Sequence, residues 1–111
     1  MEVHRTLGYG FAEIIYKDAM EVEFLENQVP YIREKKFSVC YKQKQLAHQF
    51  HVDFTCFNGI IVEVKSCDKG ILTDHIAQLL NYLKVSGCEV GLLINFGKRK
   101  LEYQRFVSTN K

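Results

Sequence analysis

The sequence predicts an α+β domain in which helices pack against one mixed β-sheet. Two segments, residues 11–27 and 73–86, show the apolar periodicity of helices. Three runs rich in β-branched and aromatic residues lie between them, as is typical of strands. A nearly all-apolar run at residues 89–96 indicates a further strand that is buried on both faces. The order is therefore helix, three strands, helix, and one or two strands.

Length and composition describe a single small domain. A chain of 111 residues predicts one domain over residues 1–111, and 47% hydrophobic with 25% charged residues is ordinary for a globular protein. The net charge of +2 does not by itself indicate a nucleic-acid-binding protein. Lysine clusters at residues 35–36, 42–44 and 98–100 could each contact phosphate, although a solvated face is the commoner explanation of any one cluster.

Cysteine spacing and the lack of long apolar segments predict a cytoplasmic protein without a membrane span. The four cysteines show no C-x-x-C pair, which indicates free thiols in a reducing compartment. A zinc site that combines them with His48 or His51 is disfavoured, since the spacing matches no finger or ribbon. No segment approaches about 18 consecutive apolar residues, and no signal peptide opens the chain.

The first helix is predicted over residues 11–27, after a start interrupted by glycines. Its expected buried stripe follows the i, i+3, i+4 spacing and consists of Ala12, Ile15, Ala19 and Val22. Glu13 and Tyr16 lie one turn apart beside this stripe. From the residues alone, Glu13 is a first-turn acid favoured by the helix dipole, and Tyr16 is partly buried core.

Pro30 ends the helical region, and three strands are predicted to follow as an antiparallel meander that ends at Ser66. Residues 31–41 are expected to be extended, and residues 42–45 form a polar turn. In the second strand, four apolar residues alternate with polar ones, as in a strand with one apolar face. These are Phe50, Val52, Phe54 and Cys56.

The turn at residues 57–59 decides whether the second and third strands bring Asp53 and Glu63 together. A regular two-residue loop would set Asp53 across from Val64 and leave Glu63 on the opposite face. A three-residue loop with Gly59 in the left-handed conformation sets Asp53 across from Glu63, and a bulge would do the same. We expect one of these two, because two carboxylates at cross-strand distance form a hard-oxygen site for Mg²⁺ or Mn²⁺.

Three charged residues in this hairpin are the candidate site. Glu63 and Lys65 share a face, since they are two apart in a strand. On their own they are typical of a surface ion pair, which contributes little. Asp53 favours a functional site over a surface ion pair, because it lies in an apolar run where an unpaired charge would be costly.

The second helix is predicted to be capped by Thr73 or Asp74 and to end at Gly87. Its expected core stripe is Ile76, Leu79, Leu80 and Leu83. A neighbouring row contains His75, Gln78 and Tyr82, which either form a polar surface or face the carboxylates. After residues 89–96 and a basic turn, residues 101–107 are expected to form an edge strand, which would allow a homodimer.

These motifs together resemble the PD-(D/E)XK nuclease superfamily. The shared pattern is an acid on the first helix, Asp53, the Glu63-Val64-Lys65 run, and Gln78 with Tyr82 on the second helix. Residues 10–16 (GFAEIIY) resemble the motif that names the small bacterial GxxExxY family. Residues 77–83 and 91–97 resemble that family too. Its members commonly carry a helical stretch upstream of the Val-His pair at residues 3–4, so we expect a short first helix here.

The resemblance implies a restriction-endonuclease-like core and metal-dependent phosphodiester hydrolysis. Asp53 and Glu63 would hold Mg²⁺ or Mn²⁺ with the Val64 carbonyl, and Glu13 would complete the shell directly or through water. Lys65 would orient or deprotonate the attacking water and stabilise charge on the phosphorane. By the same resemblance, Gln78 and Tyr82 would position Lys65 and the nucleic acid. Tyr16 would contact phosphate or brace Glu13.

Two functions remain open from the sequence. The first is a small nuclease that acts on nucleic acid, with DNA expected in preference to RNA. The second is a catalytically inactive module of the same fold that binds nucleic acid or a protein partner, because a fold does not determine activity.

Overall fold

The computed structural model describes residues 1–108 of the chain. Its helices are α1 (Glu2–Leu7), α2 (Glu13–Glu26) and α3 (Thr73–Ser86). Its strands are β1 (Tyr31–Phe37), β2 (Cys40–Tyr41), β3 (Lys44–Gln45), β4 (Phe50–Cys56), β5 (Ile60–Lys65), β6 (Val90–Asn95) and β7 (Glu102–Val107). None of the helices in this described part is long and apolar enough to span a membrane.

The central sheet has five strands in the order β1-β4-β5-β6-β7. Strands β5 and β6 run parallel, joined by α3, and the other neighbours are antiparallel. The predicted α+β class with a mixed sheet is therefore confirmed, and β7 lies at an edge as expected. The predicted first strand is too long, because the extended region breaks after Phe37. Strands β2 and β3 form a separate two-stranded hairpin where one polar turn was expected.

Helices cover both faces of the sheet, and each face has its own apolar core. Tyr16 and Met20 of α2 and Val3 of α1 pack on one face, with Phe54 and Val64 among the strand residues beneath them. On the other face, side chains of α3 pack against the sheet. The buried members of that cluster are Val52, Ile61, Leu79, Leu83 and Leu93.

Helix α2 buries a different stripe from the predicted one. Tyr16 is fully buried and Met20 is nearly so, and Phe24 packs against the same cluster. These residues are spaced by four, so the largest side chains of the helix form the buried face. Of the predicted stripe, Ala19 packs against this cluster, as expected. Ala12, Ile15 and Val22 are exposed, so the prediction is wrong for these three residues.

Helix α3 follows the prediction more closely. Leu79 and Leu83 are buried, whereas Leu80 is 46% exposed. The helix ends at Gly87 in the left-handed conformation, as predicted. At its start the N-cap is Leu72, and its backbone N–H donates to Nδ1 of His75 at 3.1 Å. The predicted cap by Thr73 or Asp74 is wrong, because both residues already lie within the helix and Leu72 occupies the N-cap position.

A buried asparagine joins the loops that follow β5 and β6. Asn95 accepts the N–H of Cys67 at 2.8 Å and donates to the Cys67 carbonyl at 2.9 Å. Its Oδ1 also accepts the N–H of Gly97 at 3.1 Å. The two backbones approach so closely that a Cβ on Gly97 would lie 2.4 Å from the backbone of Cys67. This contact fixes the chain just beyond Lys65.

We expect Gly97→Ala to destabilise the protein by about 2 kcal/mol or more, because two fixed backbones would have to separate. The change should lower Tm by about 8 °C or more in a thermal melt. Gly59→Ala is the matched control, since its Cβ would meet only the Phe57 carbonyl at 4.0 Å. Equal Tm values for the two variants would show that the close approach of the loops is unimportant.

Candidate functional site

The hairpin between β4 and β5 has the register that a shared carboxylate site requires. Phe54 pairs with Val62 and Cys56 pairs with Ile60, which leaves residues 57–59 as a three-residue loop. The predicted odd loop is confirmed. The left-handed residues are Phe57 and Asn58, with φ of 53° and 60°. Gly59 was therefore the wrong choice for that conformation.

Strand β4 changes faces at Asp53. Phe50 and Val52 pack on the side of α3, whereas Phe54 and Cys56 pack on the side of α2. The predicted single apolar face of this strand is therefore wrong. The neighbouring strand is irregular at the same place, because Glu34 of β1 has φ of 58° and the register skips both Glu34 and Asp53. The reversal leaves Asp53 between α2 and β5.

At this irregularity, one backbone N–H of β4 and one of β5 donate to carboxylates instead of to carbonyls of the neighbouring strand. The N–H of Asp53 donates to Oε2 of Glu63 at 2.7 Å. The N–H of Val64 donates to Oδ2 of Asp53, also at 2.7 Å. The two acidic side chains are thus held next to each other, and only 5% of Glu63 is exposed.

The surroundings of Glu63 favour its neutral form in the absence of a bound cation. Burial is the main cause, and the charge of Asp53 adds to it, so that the pKa of Glu63 is raised to about 8. The hydrogen bond from the Asp53 N–H and the charge of Lys65 act in the opposite direction but are weaker. A cation held between the two carboxylates would relieve this repulsion.

A lysine that was not predicted occupies the α2 side of Asp53. The Nζ atom of Lys17 lies 3.0 Å from Oδ1 of Asp53 and 2.8 Å from Oε2 of Glu34, and 12% of its side chain is exposed. Burial alone would lower the pKa of Lys17, but its hydrogen bonds to both carboxylates outweigh burial and raise it. The only sequence signal was its position one turn after Glu13, on the same side of the helix.

On the α3 side, Lys65, Gln78 and Tyr82 approach the carboxylates. The Nζ atom of Lys65 lies 3.4 Å from Oε1 of Gln78, which is a long hydrogen bond. Burial, followed by the charges of Glu63 and Asp53, raises the pKa of Tyr82. These interactions support the alternative in which this row faces the carboxylates.

The two candidates on α2 lie apart from the carboxylate pair. Glu13 is exposed, and among residues 1–108 no three His, Cys, Asp or Glu side chains gather as a metal-binding group. Tyr16 is fully buried, and its hydroxyl donates to the Gly8 carbonyl at 2.8 Å and accepts the N–H of Phe11 at 3.2 Å. Tyr16 therefore braces the loop before α2, and this placement contradicts a phosphate contact.

The donor set nevertheless fits a hard divalent cation. Asp53 and Glu63 supply carboxylate oxygens, and Val64, whose carbonyl is the third candidate ligand, directly follows Glu63 in β5. Ligands beyond these would be water, which Mg²⁺ usually retains. The buried Glu63 and the partly buried Asp53 repel each other, and a bound cation would explain why they lie together.

Comparisons with known proteins identify a family and a fold. The model of a family described as the PD-(D/E)XK nuclease superfamily matches residues 1–106. A crystal structure of a protein called SSO0001 is similar with a TM-score of 0.66 and 19% identity, over 87% of this chain and 50% of that one. At this identity the likeness shows the fold alone, and the chain spans half of that protein's length. No curated protein matches significantly.

Proposed function

Because the chain belongs to the PD-(D/E)XK nuclease superfamily, we propose that it is a metal-dependent nuclease whose site is built on Asp53, Glu63 and Lys65. The observation that carries the proposal is the adjacent pair of carboxylates, Glu63 buried and Asp53 partly buried, with Lys65 two residues after Glu63 in the same strand. The GFAEIIY segment supports a finer placement in the GxxExxY family. We propose DNA as the substrate in preference to RNA.

In this proposal Asp53, Glu63 and the Val64 carbonyl hold Mg²⁺ or Mn²⁺. When bound, the cation would polarise the phosphate and acidify the attacking water. Asp53 is already oriented for this task, because Val64 and Lys17 fix its two oxygens. Glu63 is fixed by the N–H of Asp53.

Lys65 supplies the positive charge on the reacting side of the site. Its ammonium group would orient the attacking water and stabilise the charge that develops on the phosphorane. If Lys65 instead acts as the base, it does so as the neutral amine, which takes a proton from that water. The water oxygen bonds to phosphorus and gives up a proton to solvent or to the neutral Lys65 amine. The bond to the leaving oxygen breaks, and the leaving oxygen takes a proton from solvent. Gln78 would hold Lys65 in position through its amide oxygen.

Tyr82 and Glu13 have supporting parts in the proposal. The ring of Tyr82 stacks on Phe50 at 4.4 Å, which fixes the direction of its hydroxyl. Because its pKa is raised, the hydroxyl stays protonated and can donate to a phosphate oxygen. Glu13 would act through water, since it lies outside the carboxylate pair.

We further propose that two copies of the chain pair through β7. This strand is at the edge of the sheet, and Tyr103 and Val107 are more than half exposed. Light scattering on a size-exclusion column should give a dimer mass. A monomer at high concentration would exclude this pairing.

Metal binding tests the proposed function. We expect isothermal titration of Mn²⁺ to show one specific site in the wild type and at least a tenfold weaker site in Asp53→Asn, by the order of magnitude for a lost ligand. Asp68→Asn is the control, because Asp68 is exposed in the loop after β5. The same proteins should be incubated with single- and double-stranded DNA and RNA in Mg²⁺ and in Mn²⁺.

Each outcome separates the two functions. Cleavage by the wild type and by Asp68→Asn, but not by Asp53→Asn, would support the nuclease and identify its substrate. Absence of specific metal binding in all three proteins would favour the catalytically inactive module.

A further inference from the structure

A basic arm projects from the end of the sheet that carries the site. We use this name for residues 38–49, which connect β1 to β4 and include the β2-β3 hairpin. Every residue from 40 to 49 is exposed. The hairpin is held by its own pairing, in which Cys40 lies opposite Gln45 and Tyr41 lies opposite Lys44. The arm is therefore a surface that the rest of the domain leaves open.

The charge of the arm differs from that of the remaining chain. The arm contains two lysines, Lys42 and Lys44, and Lys35 and Lys36 lie just before it in β1. The whole segment 35–51 therefore contains four lysines and no Asp or Glu. Since the whole chain has 15 Lys and Arg and 13 Asp and Glu, the other residues carry eleven basic and thirteen acidic side chains. The positive charge of this protein is thus concentrated beside an acidic site.

The root of the arm is close to the site. Phe37 and Phe50 pair across β1 and β4, and the ring of Phe50 stacks on Tyr82. Phe50 precedes Asp53 by three residues, which corresponds to about 10 Å along a strand. On the other flank, β6 runs parallel to β5 with Asn95 beside Lys65, and the basic residues 98–100 follow shortly after. The site therefore lies between two basic segments.

The tip of the arm keeps a lysine in an unfavourable backbone conformation. Lys42 and Gln43 have φ of 50° and 66°, so they form a two-residue turn of the type that Asn-Gly adopts most easily. Left-handed backbone at residues other than glycine has an energetic cost. The Nζ atom of Lys42 lies 5.5 Å from the ring centre of Tyr41, a further contact that orients it. The stability of the turn therefore does not explain why residue 42 is a lysine.

We propose that the basic arm binds the phosphate backbone of the nucleic-acid substrate next to the scissile phosphate, through Lys42 and Lys44. This inference rests on the proposed function and adds where the substrate lies. Lysine ammonium groups on an exposed hairpin match a polyanion, since each contact releases condensed counterions. Residues 98–100 would contact the backbone on the other flank of the site.

Binding without cleavage tests the arm. The test variant is Lys42→Asn with Gln43→Gly and Lys44→Gln, which removes two charges and supplies the residues that the turn prefers. Its Tm should not fall, so any loss of binding is not a loss of folding. The matched control is Lys84→Gln with Arg105→Gln, which removes two charges from exposed positions at the opposite end of the domain.

Fluorescence anisotropy of labelled duplex and single-stranded DNA in EDTA should be recorded over a range of NaCl concentrations. Relative to the wild type, we expect the arm variant to bind duplex about tenfold or more weakly near 0.1 M salt. Its slope of log K against log salt should be smaller by about two. The control variant should change the affinity by less than about threefold, because screening suppresses attraction at that distance.

The outcomes distinguish this inference from the proposed function. Equal losses of affinity in the two variants, or normal binding by the arm variant, would overturn the proposed contact between the arm and the nucleic acid. The nuclease proposal would remain intact. Loss confined to the arm variant would support the arm even if the wild type cleaves nothing. A wild type that binds none of these nucleic acids would overturn both.

Discussion

Replacing Lys65 with alanine should abolish cleavage while leaving the fold intact. Loss of one charged group that stabilises a transition state typically lowers kcat by about 100-fold or more. Within residues 1–108, the side chain of Lys65 makes one hydrogen bond, the long one to Gln78, so the Tm should change little. Mn²⁺ should still bind, because Asp53 and Glu63 remain. The change would therefore separate chemistry from metal binding.

Lys69→Ala is the appropriate control for this experiment. Lys69 is an exposed lysine in the loop that follows β5, so its removal makes the same change in net charge. Single-turnover cleavage and Mn²⁺ titration should be measured on both variants. If Lys65→Ala cleaves as fast as Lys69→Ala, the assigned role of Lys65 is wrong.

Replacing Glu63 with glutamine should remove metal binding and make the metal-free protein more stable at alkaline pH. The pKa of Glu63 rises from 4.5 to about 8 on folding, chiefly through burial and then through Asp53. The folded state therefore holds a proton more tightly than the unfolded state, so the free energy of unfolding falls as the pH rises from about 4.5 to 8. Glutamine has no proton to lose, and its variant lacks this decline.

Urea unfolding in EDTA at pH 5 and pH 8 checks this result. Between these two pH values, the free energy of unfolding of the wild type should fall by at least about 1 kcal/mol more than that of Glu63→Gln. This difference is the equivalent of about one pKa unit. Glu26→Gln is the control, because Glu26 is exposed at the end of α2 and should leave the decline unchanged. Parallel pH profiles for wild type and Glu63→Gln would contradict the raised pKa of Glu63.

The register of the site could be predicted from the sequence because the chemistry constrained it. Asp53 in an apolar run needed a partner, and an odd loop or a bulge was required to bring it opposite Glu63; the structure has the odd loop. The conformation inside that loop was not predictable in the same way. Phe57 and Asn58, rather than Gly59, adopt the left-handed conformation.

Features that depend on how neighbouring elements pack could not be predicted from the sequence. The change of faces at Asp53 arises together with the positive φ of Glu34, a residue on another strand. The ion pair between Lys17 and Asp53 depends on how α2 lies over the sheet. That position follows from the burial of Tyr16, which stacks on Phe96 at 4.4 Å. Helical periodicity alone favoured a different stripe, so it could not have placed Lys17 at the site.

Two amide protons at the junction of β4 and β5 donate to carboxylates instead of to the neighbouring strand. The amide of Asp53 reports on Glu63, and the amide of Val64 reports on Asp53. A hydrogen bond to an ionised acceptor is shorter and stronger than one to a neutral group, so it shifts the amide resonance. In an ¹⁵N-labelled sample, these two signals would therefore follow the ionisation and occupancy of each carboxylate separately. The backbone itself carries a residue-specific sensor of the state of the site.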